Sequence, residues 1–469
     1  MKIFTLQTTK FSYLLLIVLA FSACEKEEVI EEVTDNTSTL TAPTASFSAD
    51  VPLKWNELYL DLERFTSGYV APISARANAY INLAAYEVAL SGMSDDYRSF
   101  EGYYDGLDLP DVSTFGSIHY PTAVNAAYET SMRLFFPTAP AAQIFKIVEL
   151  ANEINEPFKN QLPIDVFARS RNYGREVAEA VFKWSATDVV GHNAYRSPTD
   201  PSYIPPVGRG KWRPTPPDFK PALLPNWGRV RTFAADARDI AIDPLVYSDD
   251  QTSAIYQQAK ETELLTNEVK ARKRPEDQWI ADFWSDDCPI LTFSPAARFV
   301  AVANQVIAKE KPNLAKALET YARLGMALCD AGIRCWHEKY RFNYERPVDY
   351  IRRVIGNQKW NTVMCPDGSG NYFTPPFPAY PSGHAAFGAA AAIVLTDIYG
   401  ENYSFTDRCH EGRREFISTP RSFNSFFEMA EENAYSRIPL GVHFAMDSDE
   451  GLKLGYGVGA KINTLPWRK

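Results

Sequence analysis

Three short segments in the last third of the chain carry most of its chemistry: Lys339-x6-Arg346-Pro347, Pro381-Ser382-Gly383-His384 and Ser436-Arg437-x5-His443-x3-Asp447. Together they supply three cations, a hydroxyl, a glycine amide and two imidazoles. Arginine offers a rigid fork of donors matched to oxyanions, and lysine adds a mobile point charge. The set suits a tetrahedral oxyanion such as phosphate or its near-isostere vanadate. The formal net charge of the chain is −10. That balance argues against a nucleic-acid-binding surface, and it makes a local cluster of Lys339, Arg346 and Arg437 informative.

Each segment has a physical reading. Pro381 stiffens the approach to a helix that starts near Ser382 or Gly383. Amide groups at a helix start are unsatisfied and lie at the positive end of the helix dipole. Gly383 lets the backbone approach a ligand without a Cβ in the way, and Ser382 can cap the helix or donate its hydroxyl to the anion. His384, in the first turn, is a candidate general acid or base. If 442–462 is helical, His443 and Asp447 are one turn apart. The carboxylate can then hold one ring nitrogen and leave the other as an acceptor, which makes His443 a nucleophile or a metal ligand.

The elements that must position these residues read as helices. Apolar residues recur at helical spacing over 55–70, 73–90, 120–136, 141–161, 166–185, 253–272, 275–284, 294–308, 315–336, 383–399 and 442–462. Strand-like alternation is nearly absent. On this reading Lys339 lies just past a helix end, and Pro347 disfavours helix at Arg346. Residues 193–232 carry prolines from Pro198 to Pro225 interleaved with Tyr203, Trp212, Phe219, Leu223, Leu224 and Trp227. Aromatic residues among prolines argue for an ordered strap packed on the body, not a flexible linker. The expected fold is all-α, a large helical bundle with proline-rich straps.

The three segments resemble the signature of the superfamily that joins vanadium-dependent haloperoxidases to type-2 acid phosphatases: Lys-x6-Arg-Pro, Pro-Ser-Gly-His and Ser-Arg-x5-His-x3-Asp. Every motif position is present. The resemblance implies that Lys339, Arg346, Ser382, Gly383 and Arg437 bind the oxygens of a vanadate cofactor. His443 would bond the metal, oriented by Asp447, and His384 would serve as acid–base. Trp336 and Phe377 match aromatic positions near the vanadate in haloperoxidases. An upstream aspartate pairs with the second arginine in that family, for which Asp286 is the candidate and Asp287 the neighbour. The implied reaction is oxidation of a halide by hydrogen peroxide to a hypohalous species, passed on to organic acceptors. Vanadate would act as a Lewis acid and Lys339 would polarise the bound oxidant. Phe377 resembles the chloroperoxidase choice, whereas exported bacterial members include iodoperoxidases; iodide is the expected halide, with bromide second. The alternative is a phosphomonoesterase using the same pocket, with His443 as the nucleophile.

The N-terminus reads as an export signal. An apolar run over 11–21 is too short for a comfortable membrane span and is followed by Ser22-Ala23-Cys24. This resembles a bacterial lipobox, which implies cleavage before Cys24 and lipid attachment to its thiol. Cys24-Glu25-Lys26-Glu27-Glu28 resembles a signal for export to the outer cell surface. The expected organisation is a signal peptide over 1–23, an acidic tether over 24–47 and one catalytic body over 48–469, lipid-anchored at the outer membrane. Five further cysteines, Cys288, Cys329, Cys335, Cys365 and Cys409, cannot all pair with one another, and no pairing is assignable.

Overall fold

The computed structural model describes residues 42–288, 290–365 and 372–469. The expected signal peptide, Cys24 and most of the tether lie outside the described residues. Residues 44–46 form a helical turn at the end of the expected tether, and this turn docks on the body. Thr44 donates its backbone N–H to Gly92 O at 2.8 Å, and Phe47 O accepts from Leu314 N at 2.8 Å.

Among the described residues, twelve helices of nine residues or more carry the fold: α1 Asp50–Phe65, α2 Ala71–Leu90, α3 Tyr120–Phe135, α4 Ala141–Gln161, α5 Ile164–Ala186, α6 Ala254–Lys270, α7 Pro275–Phe283, α8 Ala297–Glu310, α9 Leu314–Phe342, α10 Gly383–Tyr399, α11 Phe426–Tyr435 and α12 Ala445–Asn463. A short helix, Pro347–Tyr350, runs on into a π turn over Ile351–Ile355. The all-α expectation holds. The sequence patterns missed α11 and a two-stranded hairpin, β1 Phe405–Asp407 with β2 Arg421–Phe423. Three residues per strand are too few to show a period of two.

α9 and α10 form the centre. α2 packs along α9, and α10 packs against α9, α11 and α12. α2 is buried on nearly every side from Ala71 to Ala89, as a helix apolar all round must be. α10 owes its central place to its alanines. Gly451, Gly455 and Gly459 of α12 lie one turn apart against it. A Cβ at Gly455 would come within 2.2 Å of Ala386 O, so the two backbones are in direct contact there. α9 runs to Phe342, six residues beyond the sequence expectation of a helix ending at 336, and stops at Asn343 in a left-handed conformation (φ 50°). Asparagine tolerates that conformation better than most residues do. Lys339 therefore sits in the last turn of α9, not past its end.

The proline-rich strap is ordered. Trp212 and Trp227 are buried. Leu223 donates its N–H to Pro376 O at 2.9 Å, and its carbonyl accepts from Trp336 Nε1 at 3.3 Å and Tyr340 Oη at 2.6 Å. Cys288 and Cys365 form a disulfide with Cα atoms 5.6 Å apart, which settles the pairing that the sequence left open. Cys329, Cys335 and Cys409 are free. No described helix is long and apolar enough to cross a membrane.

Candidate anion site

The three motif segments come together in one buried pocket at the ends of α9, α10 and α11. Arg437, His384, His443 and Gly383 line it on the polar side; Val70, Leu223, Trp336, Phe377 and Phe387 line it on the apolar side. Lys339, Arg346 and Arg437 have no measurable exposure. None of the three makes a carboxylate ion pair within 4 Å among the described residues. Burying three cations without counter-ions is costly unless an anion completes the set.

Arg346 caps the Pro347–Tyr350 helix. It donates through Nε to Phe377 O (2.9 Å) and through Nη1 to Val442 O (2.8 Å) and His443 Nε2 (3.2 Å). Arg437, just past the end of α11, donates Nη1 to Trp284 O (2.9 Å) and Nη2 to Met364 Sδ (3.4 Å). Arg346 Nη2, Arg437 Nε and His384 Nε2 are buried with no partner. Arg437 and His384 line the cavity, and Arg346 stands directly behind His443 and Phe377, which also line it; donors left over in this way suit an oxyanion.

Lys339 is differently engaged. Its ammonium donates to the carbonyls of Pro378 (3.0 Å), Ala379 (2.7 Å) and Pro381, so all three donors go to the loop that leads into α10. It shapes that loop and lends its charge to the pocket. Ser382 caps α10, with its Oγ accepting from Ala385 N at 3.4 Å, and its own N–H donates to Asp447 O at 2.8 Å. A Cβ on Gly383 would stand 3.3 Å from the Trp336 ring. The Trp336 and Phe377 rings lie 4.9 Å apart and wall the pocket together.

His443 precedes α12, which begins at Ala445 and not at 442 as the pattern suggested. The i to i+4 contact survives by another route. Asp447, in the first turn of α12, reaches back so that Oδ2 accepts from Phe444 N (3.0 Å) and from His443 Nδ1 (2.9 Å). Arg346 donates to Nε2, so the pair of bonds fixes the tautomer with hydrogen on Nδ1 and a lone pair on Nε2. Asp447 Oδ1 remains unpartnered. Gly441 (φ 82°), two residues before His443, packs against Trp360, whose ring a Cβ would meet at 2.9 Å.

Electrostatics agree with an anion site. Burial, then the neighbouring cations, pushes both His384 and His443 well below the usual imidazole range. Burial lowers Arg346 to about 10 and Arg437 to about 9, with Asp287 the main opposing charge for Arg437. Burial also depresses the Lys339 ammonium and raises the Asp447 carboxyl. A bound oxyanion would relieve every one of these cations and imidazoles.

The expected role of Asp286 needs correction. Its carboxylate is taken by Arg298 (3.4 Å) and His410 (3.2 Å), because Asp286 and Asp287 point to opposite sides of their loop. Asp287 lines the pocket instead, with a left-handed backbone (φ 84°). Asp286 serves the site through its backbone, which the His384 imidazole faces. Met364 and Leu223 also belong to the site and were missed; nothing in their local sequence marks them, since only the tertiary fold brings them in.

Known proteins resemble this chain in sequence and fold. A family model described as the VCPO second helical-bundle domain matches residues 319–465, which contain all three motif segments. Vanadium chloroperoxidase of Curvularia inaequalis is 24% identical over 505 residues, spanning 86% of this chain and 80% of that protein. A crystal structure of a bacterial vanadium-dependent iodoperoxidase superposes with a TM-score of 0.78 at 29% identity, covering 89% of this chain and 97% of that one. A holo-type bacterial vanadium-dependent chloroperoxidase shares the fold, with a TM-score of 0.65 at 15% identity over 91% and 94% of the two chains. With its motif residues present and brought together on this fold, the chain is similar to vanadium haloperoxidases in sequence and in structure.

Proposed function

We propose that the protein is a vanadate-dependent haloperoxidase that oxidises halide with hydrogen peroxide, iodide first and bromide second. The observation that carries the reading is the buried trio Lys339, Arg346 and Arg437, none in a carboxylate ion pair within 4 Å among the described residues, with Arg346 Nη2 and Arg437 Nε left without partners. The residues present fit vanadate, an anion needing cations for its oxygens and one imidazole for its metal. When bound, vanadate supplies a Lewis-acidic centre that activates hydrogen peroxide towards halide.

The chain's own residues do the rest. Arg346 and Arg437 hold oxyanion oxygens with the donors left free, and Lys339 adds charge from behind the loop. Asp447 keeps the lone pair of His443 Nε2 aimed into the pocket. The net reaction, halide plus hydrogen peroxide plus a proton giving hypohalous acid and water, needs a proton at the oxidant. His384, neutral with Nε2 free, is placed to move it. The apolar wall of Leu223, Trp336, Phe377 and Phe387 favours a large, weakly hydrated halide, and the iodoperoxidase likeness supports the same choice.

Reconstituting the metal-free protein with vanadate and assaying iodide and bromide oxidation tests the proposal. Halide oxidation that does not rise with vanadate would sink it. Phosphate-ester turnover that vanadate abolishes would establish the phosphomonoesterase instead. We further propose that the protein is exported and lipid-anchored through Cys24. Fatty-acid labelling that persists in Cys24→Ala would overturn that part.

A further inference from the structure

Behind the anion pocket lies a second, fully buried ionic cluster that touches no part of the cavity. Arg298, near the start of α8, bonds Asp407 of β1 through Nε (3.1 Å) and Nη2 (2.9 Å). Its Nη1 donates to Phe283 O (3.0 Å) and meets both Asp286 oxygens (3.4 Å) and His410 Nε2 (2.7 Å). The guanidinium lies 4.3 Å from the Phe283 ring centre and 4.4 Å from that of Trp284. All four polar members are at most 1% exposed. An ion cluster this deep carries a desolvation cost that apolar packing would avoid, so its placement calls for a reason.

The segment 283–287 gives one. It faces the cluster on one side and the site on the other. Towards the cluster go the Phe283 carbonyl and the Asp286 carboxylate. Towards the site go the Trp284 carbonyl, which holds Arg437 Nη1 at 2.9 Å, the Asp286 backbone facing the His384 imidazole, and the Asp287 carboxylate opposite Arg437. The next residue, Cys288, is tied to Cys365. We infer that Arg298, with Asp407 and His410, is a positioning group for the anion site: it fixes the segment that sets the direction of Arg437 and of His384.

The inference rests on the proposed anion site, so the test begins with phosphate binding to the metal-free protein by calorimetry. Arg298→Lys keeps the charge and loses the fork; Asp407→Asn keeps the shape and releases Arg298. Both are expected to weaken phosphate binding tenfold or more. Both should also lower kcat at saturating vanadate while leaving the halide KM within about twofold. Arg76→Lys, which disturbs the buried Arg76–Asp188 pair (3.2 Å) elsewhere in the fold, is the control. It should lower Tm and leave phosphate affinity unchanged. Folded Arg298→Lys and Asp407→Asn proteins that bind phosphate as the wild type does would overturn the inference alone. A wild type that binds neither phosphate nor vanadate would overturn the site and the inference together. Should Arg298→Lys fail to fold, the milder Asp407→Asn decides by the same measurement.

Discussion

Arg437 divides its donors between architecture and ligand: Nη1 and Nη2 are committed to Trp284 O and Met364 Sδ, and Nε is left over. Lysine cannot make that division, because its donors all sit on one nitrogen and cannot span partners held by three separate nitrogens of a guanidinium. Arg437→Lys should lose a charge-assisted hydrogen bond worth about 1.5–3 kcal/mol. Vanadate or phosphate affinity should then fall by about 10–100-fold, read as a Kd in the metal-free protein; an unchanged Kd would remove Arg437 from the anion shell. The two histidines should separate just as cleanly. His443 carries the lone pair aimed into the pocket, so His443→Ala should lose vanadate binding and activity together. His384 is placed to move a proton, so His384→Ala should retain vanadate, seen by 51V NMR, and lose about 10²–10⁴ in kcat. If His384→Ala lost binding to the same extent as His443→Ala, the division of roles would be wrong.

At the scale of elements, the site depends on how closely α12 lies on α10. Ser382 N–H reaches Asp447 O only because Gly451 and Gly455 let the two helices touch; a Cβ at Gly451 would stand 2.5 Å from Ser382 O. At Gly455 the obstructing atom is a backbone oxygen, Ala386 O, and cannot rotate away. Gly455→Ala should therefore cost about 1–3 kcal/mol by overpacking, measured by chemical denaturation, and should weaken anion binding as Asp447 moves from Ser382. A Gly455→Ala protein of wild-type stability would mean that the helices yield more than their contact suggests. Much of this was legible beforehand. The motif spacing singled out Lys339, Arg346, His384, Arg437, His443 and Asp447, which the fold brings near one another, and α4 and α10 were bounded correctly from apolar periodicity. What could not be read had long-range causes. The end of α9 depends on Asn343 accepting a left-handed turn. The choice between Asp286 and Asp287 depends on which side of a loop each faces, and adjacent residues look alike until Arg298 claims one of them. Leu223 reaches the pocket only because a strap residue 113 positions before Trp336 in sequence folds across it.

The whole molecule is closed by the return of its C-terminus to its first helices. After α12, Trp467 O accepts from Arg98 N at 3.1 Å, and Tyr97 pairs with Arg468 beside the loop that follows α2. Glu87 anchors that loop from α2, accepting from Phe100 N (2.8 Å) and Ser99 Oγ (2.7 Å). Burial raises its carboxyl from 4.5 to about 7, against the lowering effect of those two bonds. The folded state therefore holds a proton that the unfolded chain releases. The stability this contributes is fully present below about pH 4.5 and is lost as pH rises through about 7. His384 and His443 act in the opposite sense: their folded values lie well below 6.5, so without an anion the fold loses stability as pH falls through about 6.5. The two trends overlap and partly cancel, and a single substitution should separate them. Glu87→Gln keeps the shape of the side chain and removes the titration. Its stability at pH 8 relative to pH 5 should exceed the same difference in the wild type by up to about 3 kcal/mol. Unfolding free energies at the two pH values, taken on metal-free protein in a buffer without phosphate, give the comparison. Parallel pH profiles for the two proteins would show that Glu87 is ionised in the folded state and that the closure of the C-terminus does not depend on its proton.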